Sequence, residues 1–243
     1  MTQFTFISAG RTDVGLKRSA NEDSLLVQNT EHLWLVADGM GGHDNGALAS
    51  QTTVKGFQSF ELPKDMEAAI DAVAGRLHAI NTRLVDMNQS NESGQMGTTA
   101  IALLLREGRF AVVWVGDSRA YVYRRGGLFQ LSVDHTHVQD LVDEGMITAE
   151  AAIDHPMGHV LTRALGVEED IQVDVVQDSF EVGDRFVICS DGLTGPVEDR
   201  KIREIVENYD PATAVNKLIG AAHEGGAPDN VTVIVVEITD EYL

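Results

Sequence analysis

Ten short apolar runs, several of them set off by two-residue turn signals, restrict this chain to a largely antiparallel β framework. They lie near residues 3–9, 24–29, 32–37, 98–105, 109–115, 120–124, 128–131, 171–179, 184–190 and 230–238. Each is of strand length and is either alternating or rich in β-branched residues. Glu107-Gly108, Gly126-Gly127 and Gly183-Asp184 supply tight turns at their edges. Connections this short suit antiparallel neighbours, because a parallel pair needs a crossover of about a dozen residues or more.

Helical periodicity interrupts the β pattern in two places. From Met66 onward, Ala69, Ile70, Val73, Leu77, Ile80, Leu84 and Met87 recur every three or four residues, which predicts an amphipathic helix. A weaker pattern covers 46–58. Toward the C-terminus, Ile202, Ile205, Val206 and Tyr209 form one stripe, and Val215, Leu218, Ile219 and Ala222 form another after Pro211. Helix pairs falling between groups of antiparallel strands predict a β-sandwich with helices outside it. The polar stretch 132–170 reads as a helical insertion, or flap, on the rim. With no repeat and no Pro/Ser-rich linker, 1–243 is expected to be a single domain.

The formal net charge of −20 argues against nucleic acid or anionic membranes as partners. The N-terminus lacks a basic start followed by a long apolar stretch, and no apolar run approaches the ~20 residues that span a bilayer. The lone Cys189 has no partner for an internal disulfide. A cytoplasmic location is the expectation, and a monomer the default.

Four aspartates sit beside Gly, Ser or Asn at the edges of apolar runs: Asp38, Asp117, Asp191 and Asp229. A sheet ending several strands at one rim would gather these carboxylates, and such a cluster calls for hard cations with oxygen ligands, Mg²⁺ or Mn²⁺. Two such ions can share a carboxylate, activate water near neutral pH and hold phosphoryl oxygens. Asp-Gly alone is a turn dipeptide; four sites of the same kind favour metal. Arg18, just before Asn21, Glu22 and Asp23, is the candidate cation for a planar anionic group. Cys189 lies in an apolar run with no phosphate-binding loop after it, so it is not a nucleophile candidate.

Taken in order, eight segments resemble the metal-dependent type-2C protein serine/threonine phosphatases, the PPM family, in its bacterial single-domain form. They are "VGLKRSANED" (14–23), "VADGMGGH" (36–43), "GTTA" (97–100), "VGDSRAY" (115–121), "DHT" (134–136), "LTRALG" (161–166), "CSDGL" (189–193) and "APDNVTVI" (227–234). The resemblance implies an α+β fold, a four-layer α-β-β-α sandwich of two mainly antiparallel sheets flanked by helices. It also implies a two-metal centre of Mn²⁺ or Mg²⁺ at one end of the sheets. By the family pattern Asp38 bridges the two ions, the Gly39 carbonyl binds one, Asp191 and Asp229 hold the other, and Glu22 acts through water. Asp117 with Asp191 matches the ligands of a third, weaker ion. Arg18 grips the phosphoryl group, Asn230 orients its neighbours, and Thr98 and Thr99 are supporting residues.

The implied activity is hydrolysis of phosphoserine and phosphothreonine on proteins, opposing a serine/threonine kinase. One departure concerns the proton donor. Met40 stands where the animal branch has a histidine, and His43 follows three residues later. His43 reads as a loop-bracing residue, and His135, His137, His155 and His159 in the flap as local caps, so the general acid is left open. A silent phosphoprotein-binding module and a hydrolase of small phosphoesters are the competing readings.

Overall fold

In a computed structural model of the chain, residues 4–41, 45–90, 94–152 and 155–240 are described. The strands are β1 (Phe4–Asp13), β2 (Asp23–Gln28), β3 (Leu33–Gly41), β4 (Met96–Thr98), β5 (Ala100–Arg106), β6 (Arg109–Val115), β7 (Arg119–Arg124), β8 (Gly127–Gln130), β9 (Asp174–Ser179), β10 (Arg185–Cys189) and β11 (Val231–Asp240). The helices are α1 (Asn45–Phe57), α2 (Met66–Gln89), α3 (His137–Asp143), α4 (Ala149–Ala152), α5 (Asp191–Thr194), α6 (Asp199–Asn208) and α7 (Pro211–Glu224). One sheet runs β1-β11-β10-β7-β8 and the other β2-β3-β5-β6-β9, with β4 paired to β3. Every ladder is antiparallel.

The two sheets face each other across a shared apolar layer, and helices cover both outer faces. Alternation along single strands shows why. On β5, Ile101, Leu103 and Leu105 enter the inter-sheet layer with Trp34, Phe110 and Phe186. The intervening Ala100, Ala102 and Leu104 turn to the opposite layer, against Leu77, Leu84 and Phe57 of α2 and α1. On β11, Ile234, Val236 and Ile238 face inward, and Val231, Val233 and Val235 meet Ile202, Val215 and Leu218 of α6 and α7. Strands buried on both faces read as continuous apolar runs, and β6 and β11 do so. The layers are thus α-β-β-α.

Helix ends follow local chemistry. Asp65 caps α2 by accepting from the Ala68 N–H (2.9 Å), and Asp210 caps α7 ahead of Pro211 at the first helical position. One boundary departs from the sequence expectation. Strand β3 does not stop before Asp38 but continues through Asp38 and Gly39 to Gly41. Asp191, expected at the edge of an apolar run, stands just past β10 and opens α5, a single turn. Within 132–170 the chain forms α3 and α4 and returns through isolated bridges, Thr136 to Leu161 and Thr98 to Leu165.

Candidate metal centre

The candidate residues reach one rim from four separate places. Asp38 lies within β3, Asp117 in the turn between β6 and β7, Asp191 at the start of α5, and Asp229 in the loop before β11. A cleft of about 520 Å³ opens there, and Arg18, Glu22, Asp38, Gly39, Asp117, Asp191 and Asp229 all line it. Met40, His159 and Leu161 form a wall shared with a second cleft that extends to Arg163 and Asp170. His43 lies outside the described residues.

Backbone pairing fixes these positions. The Asp38 carbonyl accepts from the Thr99 N–H (2.8 Å) and the Thr98 hydroxyl (2.8 Å). The Asp38 N–H donates to Thr99 Oγ1 (3.1 Å), whose hydroxyl also meets Ser118 Oγ (2.8 Å), tying β3 to the Asp117 turn. Asn230 is buried and clamps the Arg18 loop: its Oδ1 accepts from the Glu22 N–H (2.8 Å), and its Nδ2 donates to the carbonyls of Val14 and Ala20 (both 2.9 Å).

Glycine serves chain packing more than ion access. A Cβ on Gly39 would stand 2.1 Å from the Gly46 carbonyl oxygen, and one on Gly192 would stand 1.8 Å from that of Asn230. The need for glycine at both positions is therefore backbone-to-backbone approach.

Electrostatically the rim is under-compensated. Burial, reinforced by the charges of Asp23, Asp191, Asp117 and Asp229, holds the Asp38 carboxyl well above the usual range. Burial, with Asp191 and Asp134 nearby, pushes Asp117 up to about 7. Basic side chains approach the cluster: Arg18 Nη2 lies 2.7 Å from Asp229 Oδ2, and His159 Nδ1 lies 3.6 Å from Asp191 Oδ2. Among the described residues no three such side chains close on a single point as they stand. Arg18 and His159 thus each stand against one oxygen of Asp229 and Asp191. The donor set nevertheless suits a hard divalent cation, since its side chains offer carboxylate oxygen and their carboxyls are pressed together without matching charge.

A residue that sequence reasoning did not assign belongs here too. Asp23 pairs directly with Asp38 in the β2–β3 ladder and is buried. Its Oδ2 accepts from the Ser190 hydroxyl (2.8 Å), while its Oδ1 has no hydrogen-bond partner among the described residues. Burial pushes Asp23 up to about 6, with Asp191 adding to the effect. An orphaned, buried carboxylate oxygen behind Asp38 fits a site that takes a cation or its water. The signal was available, since Asp23 follows Glu22 directly, but an acidic residue at a strand start ordinarily reads as solvated.

The flap histidines divide. His155 is a local cap, its Nδ1 accepting from the Met157 N–H (3.2 Å). His159 instead reaches Asp191, and His135 is buried beneath the Asp117 turn, so neither is the simple cap that the sequence suggested.

Comparison with known proteins agrees with this architecture. The chain is 40% identical over 235 residues to the serine/threonine protein phosphatase PstP of Mycobacterium tuberculosis, covering 96% of this chain but 45% of that protein. The chain thus spans about half the length of that relative. It is 34% identical over 238 residues to the serine/threonine phosphatase Stp of Listeria monocytogenes, covering 93% of this chain and 94% of that one. A crystal structure of the catalytic domain of PstP in complex with 2 manganese ions superposes with a TM-score of 0.88 at 35% identity, over 98% of this chain and 100% of that one. Residues 16–218 match the sequence profile described as Protein phosphatase 2C. On profile, sequence and fold together, the chain belongs to the protein phosphatase 2C family.

Proposed function

We propose that the protein is a Mn²⁺- or Mg²⁺-dependent phosphatase that hydrolyses phosphoserine and phosphothreonine on cytoplasmic proteins, opposing a serine/threonine kinase. The observation that carries this reading is the convergence of Arg18 with Glu22, Asp38, Asp117, Asp191 and Asp229 on one cleft. The family and the two manganese ions of the PstP catalytic domain support it. In this reading 1–243 is one catalytic domain, with 132–170 as its flap, acting as a monomer.

Asp38 would be shared by two ions, with the Gly39 carbonyl on one of them and Asp191 and Asp229 on the other. Glu22 would act through water, and Asp117 with Asp191 would hold a third, weaker ion. Bound Mn²⁺ or Mg²⁺ supplies an activated water and positive charge for the phosphoryl oxygens. The chain's own residues do the rest. Thr98 and Thr99 hold the Asp38 backbone, and Asn230 holds that of Glu22. Arg18, released from Asp229, offers a planar fork to the phosphoryl group. The reaction adds the oxygen of water to phosphorus, breaks the P–O bond to the serine or threonine oxygen, and returns a proton to that alcohol. Met40 carries no proton to give, so the donor is another group in the cleft.

The decisive experiment compares phosphate release from a phosphothreonine peptide and from a small aryl phosphate, with and without Mn²⁺, for the parent and Asp38→Asn. The expected result is Mn²⁺-dependent release from the peptide that falls by at least about 100-fold in the variant, with its melting curve retained. Peptide binding without release would favour the silent module. Release confined to the aryl phosphate would favour a small-ester hydrolase.

A further inference from the structure

His135 makes contacts that none of the roles above uses. It is 4% exposed. Its ring and backbone together take both polar groups of Gly116: the Gly116 N–H donates to His135 Nδ1 (3.0 Å), and the His135 N–H donates to the Gly116 carbonyl (3.0 Å). Gly116 is the residue before Asp117, and its φ of +108° with Thr99 packed against it leaves no room for a side chain. The turn that aims Asp117 is therefore held on one side by Thr99 and Ser118 and on the other by one imidazole.

The far side of the ring is equally constrained. Nε2 lies 3.2 Å from Asp174 Oδ2, and Arg163 Nη1 donates to Asp174 Oδ1 (3.2 Å). Because Nδ1 accepts from an amide, the neutral ring carries its proton on Nε2 and donates it to Asp174. The Trp114 indole stacks on the ring, with centroids 6.0 Å apart and planes 21° apart, and its Nε1 donates to the Val133 carbonyl (2.8 Å). The His135 carbonyl accepts from the Thr162 N–H (2.9 Å), next to Arg163 on the returning flap. Burial lowers the pKa of the ring and favours the neutral form that this arrangement needs.

We infer that His135 is a positioning residue: held as the Nε2–H tautomer by Asp174, it accepts the Gly116 N–H and so sets the direction of the Asp117 carboxylate relative to Asp191. The inference rests on the proposed reading of Asp117 as a ligand of the third ion. It adds that the weakest ion site is tuned from the base of the flap, through an Asp–His–amide chain. This resembles the way a carboxylate fixes ring orientation behind a metal-bound histidine, except that here the histidine holds a backbone turn instead of the ion.

Two substitutions separate the ring's two nitrogens. His135→Asn keeps an acceptor near the Nδ1 position but cannot reach Asp174. His135→Gln can reach Asp174 but leaves the Gly116 N–H without its acceptor. Asp174→Asn reverses the tautomer, since its amide can donate to Nε2 and push the ring proton to Nδ1, against the Gly116 N–H. Mn²⁺ binding is followed by calorimetry, exchange of the Gly116 amide by NMR, and phosphatase activity against Mn²⁺ concentration, with Asp117→Asn as control.

The expected result is that His135→Gln and Asp174→Asn weaken only the weakest Mn²⁺ class, by about 10- to 100-fold, and speed Gly116 exchange at least tenfold. Their lost activity should return at high Mn²⁺, with KM unchanged, while His135→Asn stays close to the parent. Parent-like Mn²⁺ binding and amide exchange in His135→Gln, even with lowered stability, would overturn the inference. Equal losses in His135→Asn and His135→Gln would do the same, because Nδ1 would then not be the operative atom. Should Asp117→Asn leave Mn²⁺ binding intact while His135→Gln still frees the Gly116 amide, the third-ion reading falls and the positioning role stands.

Discussion

Asp23 faces Asp38 across the β2–β3 ladder, so two carboxyls share one edge of the rim, with the Ser190 hydroxyl donating to Asp23 from behind. Burial, with the charge of Asp191 adding to it, favours retention of a proton on Asp23. In the metal-free protein Asp23 holds its proton up to about pH 6, whereas in an unfolded chain an aspartate loses it near about pH 4. Between those values the native state binds the extra proton. The contribution to stability is therefore fully present below about pH 4 and is lost as pH rises through about 6. Asp23→Asn removes this loss while leaving an oxygen for Ser190. After chelation at pH 7.5 the variant should be more stable than the parent by roughly 1–2 kcal/mol, a few degrees in melting midpoint, and near pH 4 the difference should vanish. A less stable variant at pH 7.5 would contradict a burial cost for the Asp23 carboxylate.

Metal binding should be coupled to protons for the same reason. Ligand carboxyls must be deprotonated to bind an ion; Asp117 is pushed up to about 7, and burial holds Asp38 well above its usual range. Mn²⁺ affinity should tighten as pH rises from about 5.5 to 7.5. Calorimetry in two buffers of different ionisation enthalpy should detect release of about one proton or more per chain near pH 6.5. Binding with no proton release would place the ions elsewhere.

Arg18 holds Asp229 at 2.7 Å and is itself half exposed. Arg18→Ala should raise KM for a phosphothreonine peptide by about 10- to 100-fold, the equivalent of one charge-assisted contact. Mn²⁺ affinity should stay equal or become tighter, because Asp229 loses its competing partner. Weakened Mn²⁺ binding with unchanged KM would show that Arg18 braces the site instead of gripping the phosphoryl group.

Glycine substitutions should split according to what stands where the new methyl goes. Gly192→Ala drives a methyl into the Asn230 carbonyl and should cost about 1–3 kcal/mol. It should also weaken Mn²⁺ binding, because Gly192 follows Asp191 directly. Gly75→Ala, exposed within α2 and with nothing within 4 Å of the new methyl, should stabilise by about 1 kcal/mol and leave activity unchanged. Thermal melts of the two variants check both signs.

Much of this was legible from residue order, and the exceptions share one cause. The strands and helices were readable because β5 is an unbroken apolar run of strand length and α2 repeats its apolar residues every three or four positions. Asp38, Asp117, Asp191 and Asp229 were readable because each stands beside a turn former at the edge of an apolar run. Asp23 was not, because only the ladder register turns a strand-start aspartate into the neighbour of Asp38. Asn81 was also hidden. A polar residue within the apolar stripe of α2, it donates to the carbonyls of Glu168 and Glu169 and accepts from the Gly166 N–H, more than 80 positions away.

The sequence by itself determined the local periodicities, the turns and the chemical type of the site, because those depend on neighbours a few residues apart. Tertiary structure alone decided which carboxyls touch, that Asn230 holds the Glu22 backbone, and that His135 lies under the Asp117 turn. Those relations arise where antiparallel register and sheet-on-sheet packing bring together groups separated by tens to hundreds of residues, and no local pattern encodes that distance.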